Sequence, residues 1–430
     1  MRFASTRGQA PDAGIEDALQ AGLAPDGELY VPASIPCIAA SREPPGTLAD
    51  TAVRWLAPYV AGSRLEAALP ALCAQAFAFD APLRAMQGGG DFLFELFHGP
   101  TAAFKDYAAR FLAGCLAALR DDDAPVQTIV VATSGDTGAA VASAFHGREG
   151  FRVAILYPHG RVSPRQAHGL ECWGGNVRAF RVDGSFDDCQ RMAKAVLGDA
   201  RLRAGLALTS ANSISLGRLL PQLAYHAHAA LRFHASHGQA LNLIVPTGNL
   251  GNAAAAWLAR AMGAPVGEIV LACNANDTLP RFFAGGDYAP GPTIATLANA
   301  MDVAAPSNFE RLRHWLGDDD ALRAAFRAIS VDDATIRATI AAAPQRHGVV
   351  PCPHTACGLH LLERLRADGD ARPWAVAATA HPAKFEAIVE PLVGHAVAVP
   401  PALAEGLARP AHAEPLPADA QALAAALHGG

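Results

Sequence analysis

Val245-Pro246-Thr247-Gly248-Asn249-Leu250-Gly251-Asn252 joins an apolar run, Leu241 to Val245, to a helix-forming run, Ala253 to Met262. A strand that turns through glycines directly into a helix is the repeating joint of α/β proteins. Glycine permits the tight turn and lets backbone N–H groups approach a ligand. The start of the next helix adds unpaired donors and the positive end of its dipole. The stretch therefore reads as a cradle for an anion. No Gly-Lys-Ser/Thr follows, and the spacing is not G-x-G-x-x-G, so neither a nucleotide loop nor a dinucleotide fold is indicated. A single small phosphate monoester is the better guest.

A second joint lies upstream. Thr133-Ser134-Gly135-Asp136-Thr137-Gly138 separates the strand Thr128 to Ala132 from the helix Ala139 to Phe145. It too offers donors to an anion, although Asp136 would repel the guest unless protonated or turned away; its simpler role is to cap the helix. Short β-branched runs at Val153 to Leu156, Glu268 to Ala272 and Trp374 to Ala378 alternate with Ala/Leu-rich helical runs, which implies α/β architecture with largely parallel sheets. Before Gly88-Gly89-Gly90 the chain reads as a lead-in: a helix over Asp12 to Ala21, a turn at Pro25-Asp26-Gly27 and a short strand, Glu28 to Val31. A buried strand, Phe92 to Phe97, follows the glycines. The expected division is 1–85, 86–398 with two subdomains, and a Pro/Ala-rich tail, 399–430, with one last helix.

The 430 residues are 51% apolar with a net charge of -6, which supplies a core but no basic stripe for nucleic acid. No secretory leader and no run near the ~20 apolar residues of a membrane span is visible, so the expectation is a cytoplasmic protein with no membrane partner. Eight scattered cysteines without C-x-x-C suggest reduced, mostly buried thiols. Cys352, His354, Cys357 and His360 imitate a zinc site, but structural zinc usually draws a second ligand pair from elsewhere, and no metal is expected. His226 and His228, like His234 and His237, lie in an Ala-rich helical stretch and read as solvated or core-edge.

Phe104-Lys105-Asp106-Tyr107 opens an amphipathic helix. The positive dipole end and apolar neighbours both favour the neutral amine of Lys105, the form that attacks a carbonyl. Alone, such a lysine is usually a surface residue. A lysine plus a cup for one phosphate is the minimum kit for pyridoxal phosphate (PLP).

Leu96-Phe97-His98-Gly99-Pro100-Thr101-Ala102-Ala103-Phe104-Lys105-Asp106 resembles the PLP-lysine segment of threonine synthases, in the branch typical of many bacteria and fungi. The likeness extends through Ser5-Thr6-Arg7-Gly8, Gly22 to Gly27, Ala132 to Gly138, Asn212-Ser213-Ile214-Ser215 and Pro246 to Asn252. It continues in Asn274 to Asp277, Pro353-His354-Thr355-Ala356, which it explains without zinc, and Thr379 to Phe385. The resemblance implies a fold-type II PLP enzyme: two α/β subdomains of the tryptophan-synthase-β type with the cofactor between them, plus an extra N-terminal unit. It implies a cofactor Schiff base on Lys105, a phosphate cup of Gly248, Asn249, Leu250, Gly251 and Asn252, and Thr379 at the pyridine nitrogen. The loop Ser134 to Gly138 would face the substrate, with Thr101, Ser134, Asp136 and Thr137 as candidate contacts. Asn212, Ser213 and Arg218 are the candidates for the substrate phosphate.

The reaction implied is O-phospho-L-homoserine plus water giving L-threonine plus phosphate, in a monomer or homodimer. Two alternatives share the motifs. One is a lyase that releases phosphate but yields 2-oxobutanoate; the other is a non-catalytic relative that binds PLP, against which the intact lysine, cup and Thr379 argue. Serine or threonine dehydratases and O-acetylserine-dependent cysteine synthases fit less well, because their lysine and loop segments differ.

Overall fold

The computed structural model describes residues 1–38, 45–133 and 135–429. The chain opens with β1 (Phe3–Ser5) and β2 (Tyr30–Pro32), paired antiparallel around the helix Ile15–Ala21. The strand starts at Tyr30 rather than Glu28 because Glu28 belongs to the turn. Its amide donates to Asp26 at 3.2 Å and its carbonyl accepts from the Ala24 amide at 2.9 Å.

Then follow β3 (Leu83–Ala85), β4 (Phe92–Glu95), β5 (Gln127–Ala132), β6 (Phe151–Pro158), β7 (Val177–Asp183) and β8 (Leu208–Thr209). The later strands are β9 (Leu241–Pro246), β10 (Val266–Cys273), β11 (Phe326–Ser330), β12 (Trp374–Ala378) and β13 (Glu414–Pro417). They build a six-stranded sheet, β11-β10-β9-β12-β4-β3, and a five-stranded sheet, β13-β7-β6-β5-β8. Every pairing in both is parallel except β3 with β4. The alternation of apolar strands and Ala-rich helices produces this arrangement, since parallel neighbours need a helical crossover on each face. The chain leaves the six-stranded sheet after β4, builds β5 to β8, and returns at β9. The helix Lys105–Leu119 makes the outward crossing.

The N-terminal helices attach to this frame: Leu69–Ala76 packs on Lys105–Leu119, and Leu48–Val60 packs on Gln222–His237. The C-terminal residues also join it. β13 extends the edge of β7, where Arg178 and Glu414 pair at 2.8 Å, and the helix Ala420–His428 seals that end of the sheet. Leu423 and Leu427 pack with Val130, Phe180 and Val182. All eight cysteines are free and all but Cys37 are buried. Among the described residues, no helix is long and apolar enough to cross a membrane.

Leu423 is fully buried in this terminal cluster. Leu423→Ala is expected to cost about 2–5 kcal/mol through lost burial and a residual cavity. Urea unfolding followed by circular dichroism measures it, and an unchanged midpoint would mean that the terminal helix adds nothing to the sheet.

Candidate active site

Four strand ends converge on one cavity. β4 leads to Lys105, β5 to the turn ending at Gly138, β9 to Gly248–Asn252, and β12 to Thr379. All are carboxyl ends of parallel strands, where α/β sheets leave a crevice for ligands. The cavity measures about 500 Å³, and Lys105, Asp136, Thr137, Asn212, Ser213, Arg218, Gly248, Asn249, Leu250, Gly251, Asn252 and Thr379 all line it. The structure thus brings together residues that the sequence spreads over most of the chain. Two candidates stand apart. Ser134 lies outside the described residues. Thr101 is 5% exposed and does not line the cavity: its amide and hydroxyl both donate to Asp106, at 2.8 and 2.6 Å. Its hydroxyl is committed to the helix that carries Lys105, not to a ligand.

Lys105 opens its helix and projects into the cavity, with its ammonium 5.1 Å from the Phe104 ring centre. Burial pushes its pKa down to about 8, against the upward pull of Asp136. The entry to this helix is fixed by the Phe104 amide, which donates to the Thr379 carbonyl at 2.9 Å.

In the turn after β9, Leu250 adopts a left-handed φ of 61°, whereas Gly248 and Gly251 do not. The requirement for glycine is instead close approach: a Cβ on Gly248 would lie 2.7 Å from the Met301 Cα. At Gly251 the space is ordinary, with the nearest atom, Asn308 Nδ2, at 3.5 Å. Asn249 ties the turn to its neighbours. Its side chain donates to Ser213 Oγ at 2.9 Å, and its oxygen accepts from the Ser307 amide at 2.5 Å.

In the turn after β5, the Thr133 hydroxyl accepts from the Gly135 and Gly138 amides at 3.0 and 2.9 Å. Asp136 and Thr137 begin the helix Asp136–Phe145, so their amides have no acceptor within it. Asp136 is not the capping residue. Its carboxylate lies 2.6 Å from the Lys384 ammonium, both side chains being 3% exposed. Burial opposes ionisation of Asp136, but Lys384 and Lys105 outweigh it and hold the carboxyl far below its ordinary range.

Sequence reasoning missed several supports of this site. His226 is fully buried, neither solvated nor at the core edge, and its Nε2 donates to the Asn252 side-chain oxygen at 2.7 Å. His228 is buried as well and shares a 2.8 Å hydrogen bond with Thr51. Arg311 donates to the Tyr30 and Ile214 carbonyls and to Asn308, and Asn308 donates to the Asn249 carbonyl at 2.8 Å. An arginine in an amphipathic helix carries no signal of such burial. The cysteine and histidine cluster is occupied otherwise. His354 Nε2 accepts from the Ala300 amide, Cys352 contacts Thr355, and Cys357 donates to the Pro353 carbonyl. Among the described residues, no group of three or more His, Cys, Asp or Glu is placed to hold a metal ion.

The family profile described as "Pyridoxal-phosphate dependent enzyme" matches residues 86–382, "Threonine synthase N terminus" matches 2–77, and "Threonine synthase, C-terminal" matches 355–427. The threonine synthase of Haemophilus influenzae is 38% identical over 397 residues, 90% of each chain. The chain belongs to the threonine synthase family. The Escherichia coli threonine synthase is 40% identical over 348 residues, covering 81% of this chain and 80% of its own. Among solved structures, that E. coli enzyme superposes with a TM-score of 0.88 at 33% identity over 100% of both chains. The PLP-bound threonine synthase of Brucella melitensis superposes with a TM-score of 0.92 at 33% identity, over 100% of this chain and 99% of that one.

The residues present fit the family's cofactor. Asn252 Nδ2 is buried with no partner among the described residues, because His226 engages only the oxygen of that amide. A buried donor left open beside a turn of close backbone approach is what a phosphate oxygen satisfies. Gly248→Ala is expected to weaken PLP retention about 10-fold, from the ~1–3 kcal/mol that overpacking costs, whereas Gly251→Ala retains it. Equilibrium dialysis of both folded variants decides, and equal behaviour would defeat the assignment of close approach to Gly248. The lowered pKa of Lys105 has its own check. In cofactor-free protein, acetylation of Lys105 by a neutral anhydride should be half-maximal near pH 8. A half-maximal pH near the ordinary lysine value of about 10.4 would show that Lys105 is not desolvated.

Proposed function

We infer that this enzyme converts O-phospho-L-homoserine and water to L-threonine and phosphate, with pyridoxal phosphate as cofactor. One observation carries the reading: a desolvated lysine amine shares its cavity with two glycine-rich turns and a buried arginine, which suits one cofactor phosphate and a doubly anionic amino acid. Lys105 is the residue that would hold the cofactor's aldehyde carbon. The turn Gly248–Asn252 would take its phosphate, and Thr379, a neutral hydroxyl, its ring nitrogen. Bound there, the cofactor supplies a conjugated sink for electrons from the substrate's Cα–H and Cβ–H bonds.

The chain's own groups do the rest. Lys105, once free of the cofactor, is the base at Cα, and it is neutral in a useful fraction near pH 8. Loss of a Cβ proton expels phosphate from Cγ, Cγ gains a proton, the hydroxyl of water adds at Cβ, and Cα regains a proton, so atoms balance to threonine and phosphate. For the departing phosphate we propose Arg218, Asn212 and Ser213. Arg218 is 2% exposed, donates to the Ala211 carbonyl at 2.8 Å, and keeps Nε without a partner among the described residues. The amides of Asp136 and Thr137 would face the substrate carboxylate. The site needs only a small-molecule partner, in a cytoplasmic monomer or homodimer.

Product analysis separates this chemistry from simpler outcomes. In heavy water, threonine should carry deuterium at Cα and in its methyl group, and oxygen-labelled water should label its hydroxyl. A leaky lyase would give 2-oxobutanoate, and direct displacement at Cγ would give homoserine. Lys105→Ala is expected to lose activity by several orders of magnitude. Unlabelled methyl threonine, or full turnover by Lys105→Ala, would defeat the reading.

A further inference from the structure

Lys384 is one of three lysines in the chain and is almost fully buried. It belongs to the single-turn helix Pro382–Phe385, five residues after Thr379. Its ammonium donates to the Thr101 carbonyl at 2.7 Å and lies 2.6 Å from Asp136. Thr101 is in turn fixed by Asp106, next to Lys105. One side chain therefore joins three segments: the exit of β12, the entry of the Lys105 helix, and the turn after β5. The first two belong to the six-stranded sheet and the third to the five-stranded one.

The contact settles a conflict in the sequence. The turn after β5 offers its amides to an anion, yet Asp136 places a carboxylate among those donors. Asp136 is neither protonated nor turned away; it lines the cavity and is ionised against Lys384. We propose that Lys384 is the positioning residue that makes this turn an anion site: it neutralises Asp136 and holds its carboxylate off the amides that receive the substrate carboxylate. The other groups facing the pair do not replace it. Lys105 is the residue that would hold the cofactor, so it is not free to serve Asp136. His354 is kept neutral by burial, its pKa pushed down to about 4, and Cys352 is an uncharged thiol. On the far side Lys384 faces Asp106, which is bonded to Thr101, and His381, also pushed down to about 4 by burial. Gln166 is the only further side chain donating to Asp136 among the described residues, at 3.4 Å.

Without Lys384, a buried carboxylate stands bare before an incoming carboxylate, and like charge penalises binding in the ground state and at every later step. The inference rests on the proposed reaction, so wild type must first form threonine from O-phospho-L-homoserine; failure there removes that reading, not this one. The experiment compares wild type, Lys384→Met, Lys384→Arg and the double variant Asp136→Asn/Lys384→Met as holoenzymes. Cofactor content and circular dichroism serve as controls. Lys384→Met should raise KM for O-phospho-L-homoserine about 10-fold or more, well beyond its effect on kcat. Its excess KM over wild type should shrink as the pH falls from about 9 to about 6, because burial then favours protonation of the unpaired Asp136. Lys384→Arg should keep most of the affinity. The double variant should recover most of what Lys384→Met loses, since it removes the repelling charge together with its partner. If Lys384→Met fails to fold, the double variant and Lys384→Arg still decide. A double variant with KM raised as far as the single one, or a pH-independent loss confined to kcat, overturns the proposal.

Discussion

Lys105 sits where the chain leaves one parallel sheet for the other, and that crossing constrains everything around it. The amine must be dry enough to be a nucleophile at moderate pH, yet open to a cavity large enough for a cofactor and a substrate. A helix start supplies both conditions: the positive dipole end resists a second positive charge, and the cleft between the sheets shields one side. The position of the lysine is then only as good as the backbone leading to it. That backbone is pinned from both ends, by the Thr379 carbonyl on the Phe104 amide and by Asp106 on Thr101. The amine is thus tied to the exit of β12 through Thr379 and to the first turn of its own helix through Asp106, both on the side of the six-stranded sheet.

Charge follows from the same geometry. The reaction collects a cofactor phosphate, a substrate phosphate and a carboxylate in one cavity, and the chain provides few cations to meet them. Lys105, Lys194 and Arg218 line the cavity, while Lys384 is held behind it by Asp136. In the proposed reading, much of the work falls to neutral donors that line the same cavity, namely backbone amides, Asn212, Ser213, Asn252 and Thr379. Such donors are fixed in place by the fold and need no reorganisation as charge moves from carbon to phosphate, which is where preorganised dipoles help most. A site built from mobile surface lysines would bind the same anions but would have to rearrange during each turnover.

Much of this was legible in the sequence, and the reason is local. Gly248 to Asn252 and Thr133 to Gly138 are joints whose meaning depends on residues a few positions away: an apolar run before, a helical run after. The helix at Lys105 and the strand Trp374–Ala378 were read for the same reason. What stayed hidden depends on partners distant in the chain. Asp136 looked like a cap because its ion pair is with Lys384. His226 looked idle because its acceptor, Asn252, lies on another element. β7, β11 and β13 escaped as strands because arginine, glutamate and proline interrupt their apolar pattern; Arg178 and Glu414 are there to pair with each other across the sheet edge. Thr101, between a glycine-proline turn and the lysine, reads as a ligand contact in the sequence; in the fold its hydroxyl donates to Asp106.

The N-terminal unit gains a purpose from Arg311. This fully buried guanidinium has no carboxylate partner among the described residues and spends its donors on the Tyr30 carbonyl in β2, the Ile214 carbonyl and Asn308. A buried charge with only neutral acceptors is costly, and it is tolerated where its fork can hold several backbone segments at once. Here those segments are the N-terminal sheet, the loop carrying Asn212 and Ser213, and, through Asn308, the turn at Asn249. Asn249 closes the circuit by donating to Ser213. The proposed cofactor turn and the proposed substrate-phosphate loop are thus fixed to each other by one set of hydrogen bonds, with the first strands of the chain as their anchor. The extra N-terminal unit is part of the wall that keeps the turn at Asn249 and the loop at Ser213 at a set distance.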